Sequence, residues 1–288
     1  PTNFLKYIFD EYKGKVKLIV SGSSSFYLDK KFRDSLMGRK RVFYLFQFDF
    51  REFLESKNEE DLIKEFERSG NFSLINKKRI EQCFSEYITY GGYPAVVLGE
   101  SYKLKELLLS EIAYDFIKKD IYEANIHEQD KYYSILKIIA NQVGQLLNSG
   151  EIANKLNISF NTVEKYLYVM QKSFQISLIR PFHKNLRKEL TKMPKVYFND
   201  LGLRNFFANS FQNIDLRNDK GQLLENVVFR ELLFNYGLDK IRFWRTQSKQ
   251  EVDFVVNEIL AYEVKYNRTE CRLEKYNKFI ELYPNIKF

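Results

Sequence analysis

Apolar and polar positions change period several times along the 288-residue chain, and each change marks an expected element. The opening stretch, "PTNFLKYIFDEYKGK", has helical spacing and predicts an amphipathic helix closed by Gly14. "VKLIVSGSSS" (16–25) predicts a short buried strand running into a Gly/Ser turn, and residues 42–48 predict a second apolar strand. Asp49, followed three residues later by Glu52, has capping-box spacing and predicts a helix start. Residues 59–125 predict helices, interrupted in "YGGYPAVV", where Gly91, Gly92 and Pro94 force a tight turn.

Residues 131–182 predict a helix, then a helix–turn–helix, then a strand in "ISLIRPF". Ile152, Ala153 and Leu156 face inward on the first helix of the pair, and Val163, Leu167 and Met170 form the stripe of the second. Ser159 or Asn161 caps that second helix, with Glu164 available to an Asn161 cap. "KVYFNDLGLRNFF" (195–207) predicts strand, turn and short helix, and the polar stretch 208–220 marks a boundary. A helix over 221–238, a strand in "IRFWRT", a hairpin across 251–267 and a last helix in "CRLEKYNKFIELY" complete the pattern.

Composition refines this only slightly. The chain is 44% hydrophobic and 29% charged, which suits a globular protein. The net charge of +8 favours a polyanionic partner, nucleic acid above all. Cys83 and Cys271 have no paired spacing, which argues against a disulfide scaffold or zinc site and for a reducing, cytoplasmic setting. His127 and His183 are too few for a His-rich metal centre. No uncharged apolar run reaches the roughly 18 residues of a membrane span, so no membrane partner is expected.

The candidate chemistry lies in "EVDFVVNEILAYEVKYN". Side chains alternate faces along a strand, so Asp253 shares a face with Glu251 and Val255, and Glu263 shares one with Lys265. Brought together across the hairpin, Asp253 and Glu263 supply hard oxygen ligands for Mg²⁺ or Mn²⁺. Lys265 can then polarise a metal-held water, and Glu225 on the preceding helix can complete the shell. Ordinary charged pairs on an exposed hairpin face are the alternative. In the helix–turn–helix, Asn161, Thr162, Lys165 and Tyr166 occupy the start of the second helix, where a winged helix meets DNA; docking onto protein is the other use of such a module. Ser21 and Ser23 end the first predicted strand, where a hydroxyl suits a nucleotide-sensing position, and Arg39 suits a phosphate-sensing one. The P-loop pattern G-x(4)-G-K-[S/T] occurs nowhere in the sequence.

The order of helix Glu225, strand Asp253 and Glu263-x-Lys265 resembles the restriction-endonuclease-like (PD-(D/E)XK) nuclease superfamily, with Val252 in place of the proline. With "KLIVSGSSS", "LMGRKRVFYLFQFDFREFL", "YGGYPAVV", the winged-helix stretch and "GQLLENVVFREL", nearly the whole chain resembles AAA-type (AAA+) ATPases that carry a C-terminal winged helix and nuclease-like domain. The resemblance implies a mixed α/β, multidomain fold. Residues 1–58 would be the C-terminal part of the AAA+ core, 59–128 a helical lid, 129–207 the winged helix and 208–288 the nuclease-like domain. It implies Asp253, Glu263 and Glu225 on Mg²⁺ or Mn²⁺, Lys265 assisting water, ATP bound by the full-length protein upstream of residue 1, and a homo-oligomer through the AAA+ part. The leading function is a DNA-engaging ATPase with a metal-dependent nuclease; the alternatives are a non-catalytic nucleic-acid-binding or regulatory ATPase whose nuclease fold is a docking surface, and a protein–protein module in which the winged helix docks the ATPase part without nucleic acid.

Overall fold

The computed structural model describes residues 2–12, 15–22, 41–68, 72–183, 192–267, 270 and 272–288. The fold is mixed α/β. Helix α1 (Thr2–Glu11) forms as its spacing predicts, while Gly14, Ser23 and Arg39 lie outside the described residues. The two early strands do not form. Residues 16–22 and 41–46 have no ladder partner among the described residues, and Ile19, Phe43 and Leu45 are exposed. A strand satisfies its backbone only against a neighbouring strand, and none among the described residues pairs with these segments.

The next described helix starts at Asp49. Its carboxylate accepts from the Glu52 amide at 2.7 Å, and Glu52 accepts from the Asp49 amide at 3.0 Å, so the expected capping box opens α2 (Phe50–Ser56). Helices α3 (Glu60–Arg68), α4 (Leu74–Tyr90), α5 (Pro94–Val97) and α6 (Tyr102–Glu111) follow. A π-helical turn over 112–116 then leads into α7 (Ile117–Glu123). Phe50, Phe53, Leu54, Leu62, Ile80 and Tyr87 bury one core here.

The predicted helix–turn–helix appears as α8 (Gln129–Ala140), α9 (Ser149–Leu156) and α10 (Phe160–Lys172). Val163, Leu167 and Met170 are buried, as their stripe requires. Ser159 caps α10 by accepting from the Thr162 amide at 3.0 Å. Glu164 serves no Asn161 cap. It accepts from the Ser149 hydroxyl at 2.5 Å and so ties α10 to the start of α9.

Strands β1 (Ile176–Pro181) and β2 (Lys195–Phe198), helix α11 (Leu201–Ala208), helix α12 (Lys220–Tyr236), strands β3 (Ile241–Arg245), β4 (Glu251–Val256) and β5 (Leu260–Tyr262), and helix α13 (Asn277–Leu282) complete the described chain. Among the described residues one sheet runs in the order β2-β1-β3-β4-β5. Only β1 and β3 pair in parallel, with Arg180 opposite Arg242; the other neighbours are antiparallel. Strands from both sides of the expected 207/208 boundary therefore share one sheet. Helix α12 packs on it through Phe229, which stacks on Tyr197 at 4.5 Å between ring centroids and lies near Phe254.

A buried polar junction fastens the N-terminal helices to this layer. Asp200 caps α11 by accepting from the Leu203 amide at 2.9 Å, and its second oxygen accepts from the Gly92 amide at 2.8 Å. Arg230, fully buried on α12, donates to the Tyr87 hydroxyl at 2.7 Å and to the Phe48 carbonyl at 3.0 Å. The junction closes so tightly that a Cβ on Gly202 would lie 2.0 Å from the Tyr90 carbonyl oxygen. Gly202→Ala is accordingly expected to cost at least about 2 kcal/mol of stability, because backbone and not a mobile side chain must yield. Asp49→Ala is expected to cost about 1 kcal/mol through its cap. Urea unfolding of the two variants checks both values and their order.

Candidate functional site

Strand β2 carries Lys195 and Tyr197 on one face, two residues apart. One edge of β2 pairs with β1. At Phe198 its amide donates to the Asn226 side chain at 2.9 Å, and its carbonyl accepts from that side chain at 2.8 Å. This amide clamp sets α12 beside β2 and brings the adjacent Glu225 over the Lys195 face. Gly144, with φ of +73°, packs its backbone against the other side: a Cβ there would meet both Glu225 carboxylate oxygens at 3.0 Å.

The Lys195 side chain is 1% exposed. Its ammonium lies 3.0 Å from Glu225 Oε1, 2.5 Å from Glu251 Oε1 and 3.4 Å from Asp253 Oδ1. Tyr197 donates its hydroxyl to Glu225 Oε1 at 2.6 Å. Asp253 Oδ2 accepts from the Val264 amide at 2.9 Å, and the Asp253 amide donates to Glu263 Oε2 at 3.3 Å. Lys265 donates to Glu263 Oε1, and Arg245 to Glu251 Oε2. The four expected site residues, Asp253, Glu263, Lys265 and Glu225, thus do share one network. Glu263 and Lys265 stand just beyond the end of β5, not within a strand.

Burial and neighbouring charge work against each other in this network. Burial pushes the Glu225 carboxyl up, Lys195 pulls it back and Asp253 raises it again, leaving it at about 7. Burial alone would lower the Lys195 ammonium, but Glu225, Asp253 and Glu251 outweigh it and hold the group protonated. Burial and then Asp253 raise Glu263, which Lys265 partly offsets. Burial, followed by the Glu225 charge, lifts the Tyr197 phenol well above its usual range.

This donor set does not fit a divalent metal as it stands. The oxygens of Glu225, Glu251 and Asp253 that converge do so on an ammonium, and the outward oxygens of Glu251, Asp253 and Glu263 already accept from Arg245, a backbone amide and a second backbone amide. Among the described residues no group of three or more His, Cys, Asp or Glu is arranged to hold a metal ion. A divalent ion about 4 Å from the Lys195 ammonium would meet a repulsion of about 8 kcal/mol at an effective dielectric constant near 20.

Elsewhere the expected sites separate. On α10, Asn161 and Lys165 are exposed, Thr162 is half-buried with its hydroxyl 2.8 Å from Ser159 Oγ, and Lys165 donates to the Asn125 carbonyl at 3.3 Å. Tyr166 corrects the expectation. It is 3% exposed and packs on Tyr132 at 5.5 Å, because it follows Val163 by one turn on the core side. Ser21 is exposed and belongs to no element, while Ser23 and Arg39 lie outside the described residues.

Sequence reasoning missed Lys195, Tyr197 and Arg245. The available signal was a charged residue opening "KVYF", a strand otherwise apolar on both faces. Lys195→Met is expected to destabilise the protein by about 3–5 kcal/mol, since buried Asp253 and the partly buried Glu225 and Glu251 lose their shared partner. Glu225, raised from its ordinary value of 4.5 to about 7, contributes stability that is present below pH 4.5 and lost as pH rises through 7. Thermal unfolding measured across that window should show the decline, and Glu225→Gln should flatten it.

Comparison with known proteins covers most of the chain in three pieces. The profile of an AAA domain (AAA_14) matches residues 2–54. Two domains of unknown function, DUF8612 and DUF4143, match residues 81–213 and 220–287. An uncharacterized protein of Methanocaldococcus jannaschii, MJ1544, is 27% identical over 278 residues, 92% of this chain and 59% of that protein. An uncharacterized protein of Haemophilus influenzae is 27% identical over 263 residues, 88% of this chain and 60% of that protein. The uncharacterized protein Rv2008c of Mycobacterium tuberculosis is 28% identical over 121 residues, 41% of this chain and 27% of that protein. The chain therefore spans about three fifths of the length of the first two relatives. No solved structure matches. Among the described residues no helix is long and apolar enough to cross a membrane. The matches at residues 2–54 and 220–287 support an AAA-like ATPase family.

Proposed function

We propose that this chain is the C-terminal part of an ATP-dependent AAA-type ATPase that binds nucleic acid, DNA in the first place, through its winged-helix-like stretch, and whose nuclease-like last unit does not cut it. The AAA domain match is consistent with ATP and Mg²⁺ use by the longer protein. The observation that carries the non-cleaving reading is the Lys195 ammonium seated among Glu225, Glu251 and Asp253. Phosphodiester cleavage through a metal needs those oxygens on the ion, with Lys265 directed at water. Here Lys265 pairs with Glu263.

The binding half of the reading rests on the winged-helix-like stretch and on charge. Helix α10 presents Asn161, Thr162 and Lys165 at its accessible start, and the chain carries a net charge of +8. A homo-oligomer through the AAA-type part and a cytoplasmic setting accompany this proposal.

Fluorescence anisotropy with labelled duplex DNA tests it. Affinity is expected to fall more than about tenfold between 50 and 200 mM salt and roughly tenfold on Lys165→Glu. Removing divalent ions with EDTA, or Asp253→Asn, should leave binding unchanged. Cleavage of the DNA that requires Mg²⁺ or Mn²⁺ and disappears in Asp253→Asn would defeat the non-cleaving reading. Salt-independent association, or none, would defeat the nucleic-acid one.

A further inference from the structure

We propose that Lys195 is a built-in counter-ion: its ammonium occupies the cation position of a cage made by Glu225, Glu251 and Asp253, and its presence keeps that cage from being a divalent-metal site. The inference rests on the non-cleaving reading and deepens it, since it names the group that closes the cluster.

The geometry is that of a cation site with the cation supplied by the chain. Lys195 is separated from Glu225 by 30 residues and from Asp253 by 58, so the fold and not local sequence assembles the cage. One oxygen from each of three carboxylates, on α12 and β4, converges on a single point. Three carboxylates facing one ammonium leave surplus negative charge, only part of which Arg245 offsets at Glu251. A hard divalent ion would neutralise more of it at oxygen distances of about 2.0–2.6 Å. What prevents the exchange is the tether. A metal entering the cage must displace an ammonium that is covalently attached, lies over the Phe243 ring at 5.6 Å and is paired, among the described residues, with those same carboxylates.

The cage would persist without the ammonium. Glu225 stays held by the Tyr197 hydroxyl, and Asp253 by the Val264 amide. Shortening Lys195 therefore leaves three facing carboxylates and an empty volume the size of the lost side chain. That is a site for one hard divalent ion, Mn²⁺ or Mg²⁺, with water filling the remaining positions.

The test is Mn²⁺ binding to the full chain, read by the loss of the free-ion electron paramagnetic resonance signal. Wild type is expected to show no saturable site up to about millimolar metal, and Lys195→Ala to bind one ion at least about tenfold more tightly. The added substitution Asp253→Asn should abolish the gain. Lys195→Gln is measured in parallel, with circular dichroism on each variant, because an emptied cage is destabilising. A variant of low stability should be rescued by Mn²⁺ as a rise in Tm. The inference is overturned if wild type binds one Mn²⁺ and Asp253→Asn removes it. It is equally overturned if neither Lys195 variant gains affinity or thermal stability with Mn²⁺. DNA cleavage by wild type would defeat the non-cleaving reading, whereas missing metal gain in Lys195 variants of a protein that cuts nothing would defeat only this inference.

Discussion

The architecture of the C-terminal half depends on burying one ammonium. An unpaired buried charge is several kcal/mol uphill, so Lys195 can sit inside only if its partners arrive together with it. Those partners come from helix α12 and strand β4, on the far side of the sheet order from β2. The ion cluster therefore constrains which surfaces of helix and sheet face each other, in a way that the packed Tyr197, Phe229 and Phe254 rings alone would not. The Asn226 clamp on Phe198 supports the same register through backbone hydrogen bonds.

A second polar junction fixes what lies above that layer. Asp200 reaches the Gly92 amide and Arg230 reaches the Phe48 carbonyl, so groups far apart in sequence satisfy each other away from water. Burial pushes the Asp200 carboxyl up, while Arg230 and the backbone amides of Gly92, Leu203 and Gly202 pull it down. Phe48, Tyr87 and Gly92 are thereby tied to the start of α11 and to α12.

Much of this was legible in the chain. Helix α10 carried its stripe in Val163, Leu167 and Met170, and the Asp49–Glu52 box and the turn at Gly91 and Gly92 were local signals that the fold obeys. Asp253 was visible because alternation places it on one face of β4 with Glu251, whereas Glu263 lies beyond the end of β5. What was not legible depended on distant partners. Strands at 16–20 and 42–46 have the right composition, but a strand forms only where another strand receives it. Tyr166 lies next to exposed Lys165, and one position of helical rotation decided between groove and core. Lys195 gave no sign of its acceptors, since nothing in "KVYF" indicates three carboxylates 30 to 58 residues away.

Glu225, Asp253, Glu263 and Lys265 share one network, yet the cation seated among Glu225, Glu251 and Asp253 is the Lys195 side chain. The most direct measurement is a crystal structure of the wild-type chain grown with millimolar manganese, with anomalous data collected at the manganese edge. The account predicts no anomalous peak among these carboxylates and the Lys195 ammonium within hydrogen-bonding distance of Glu225, Glu251 and Asp253. A manganese peak held by Asp253 and Glu263, with Lys195 turned away, would contradict it.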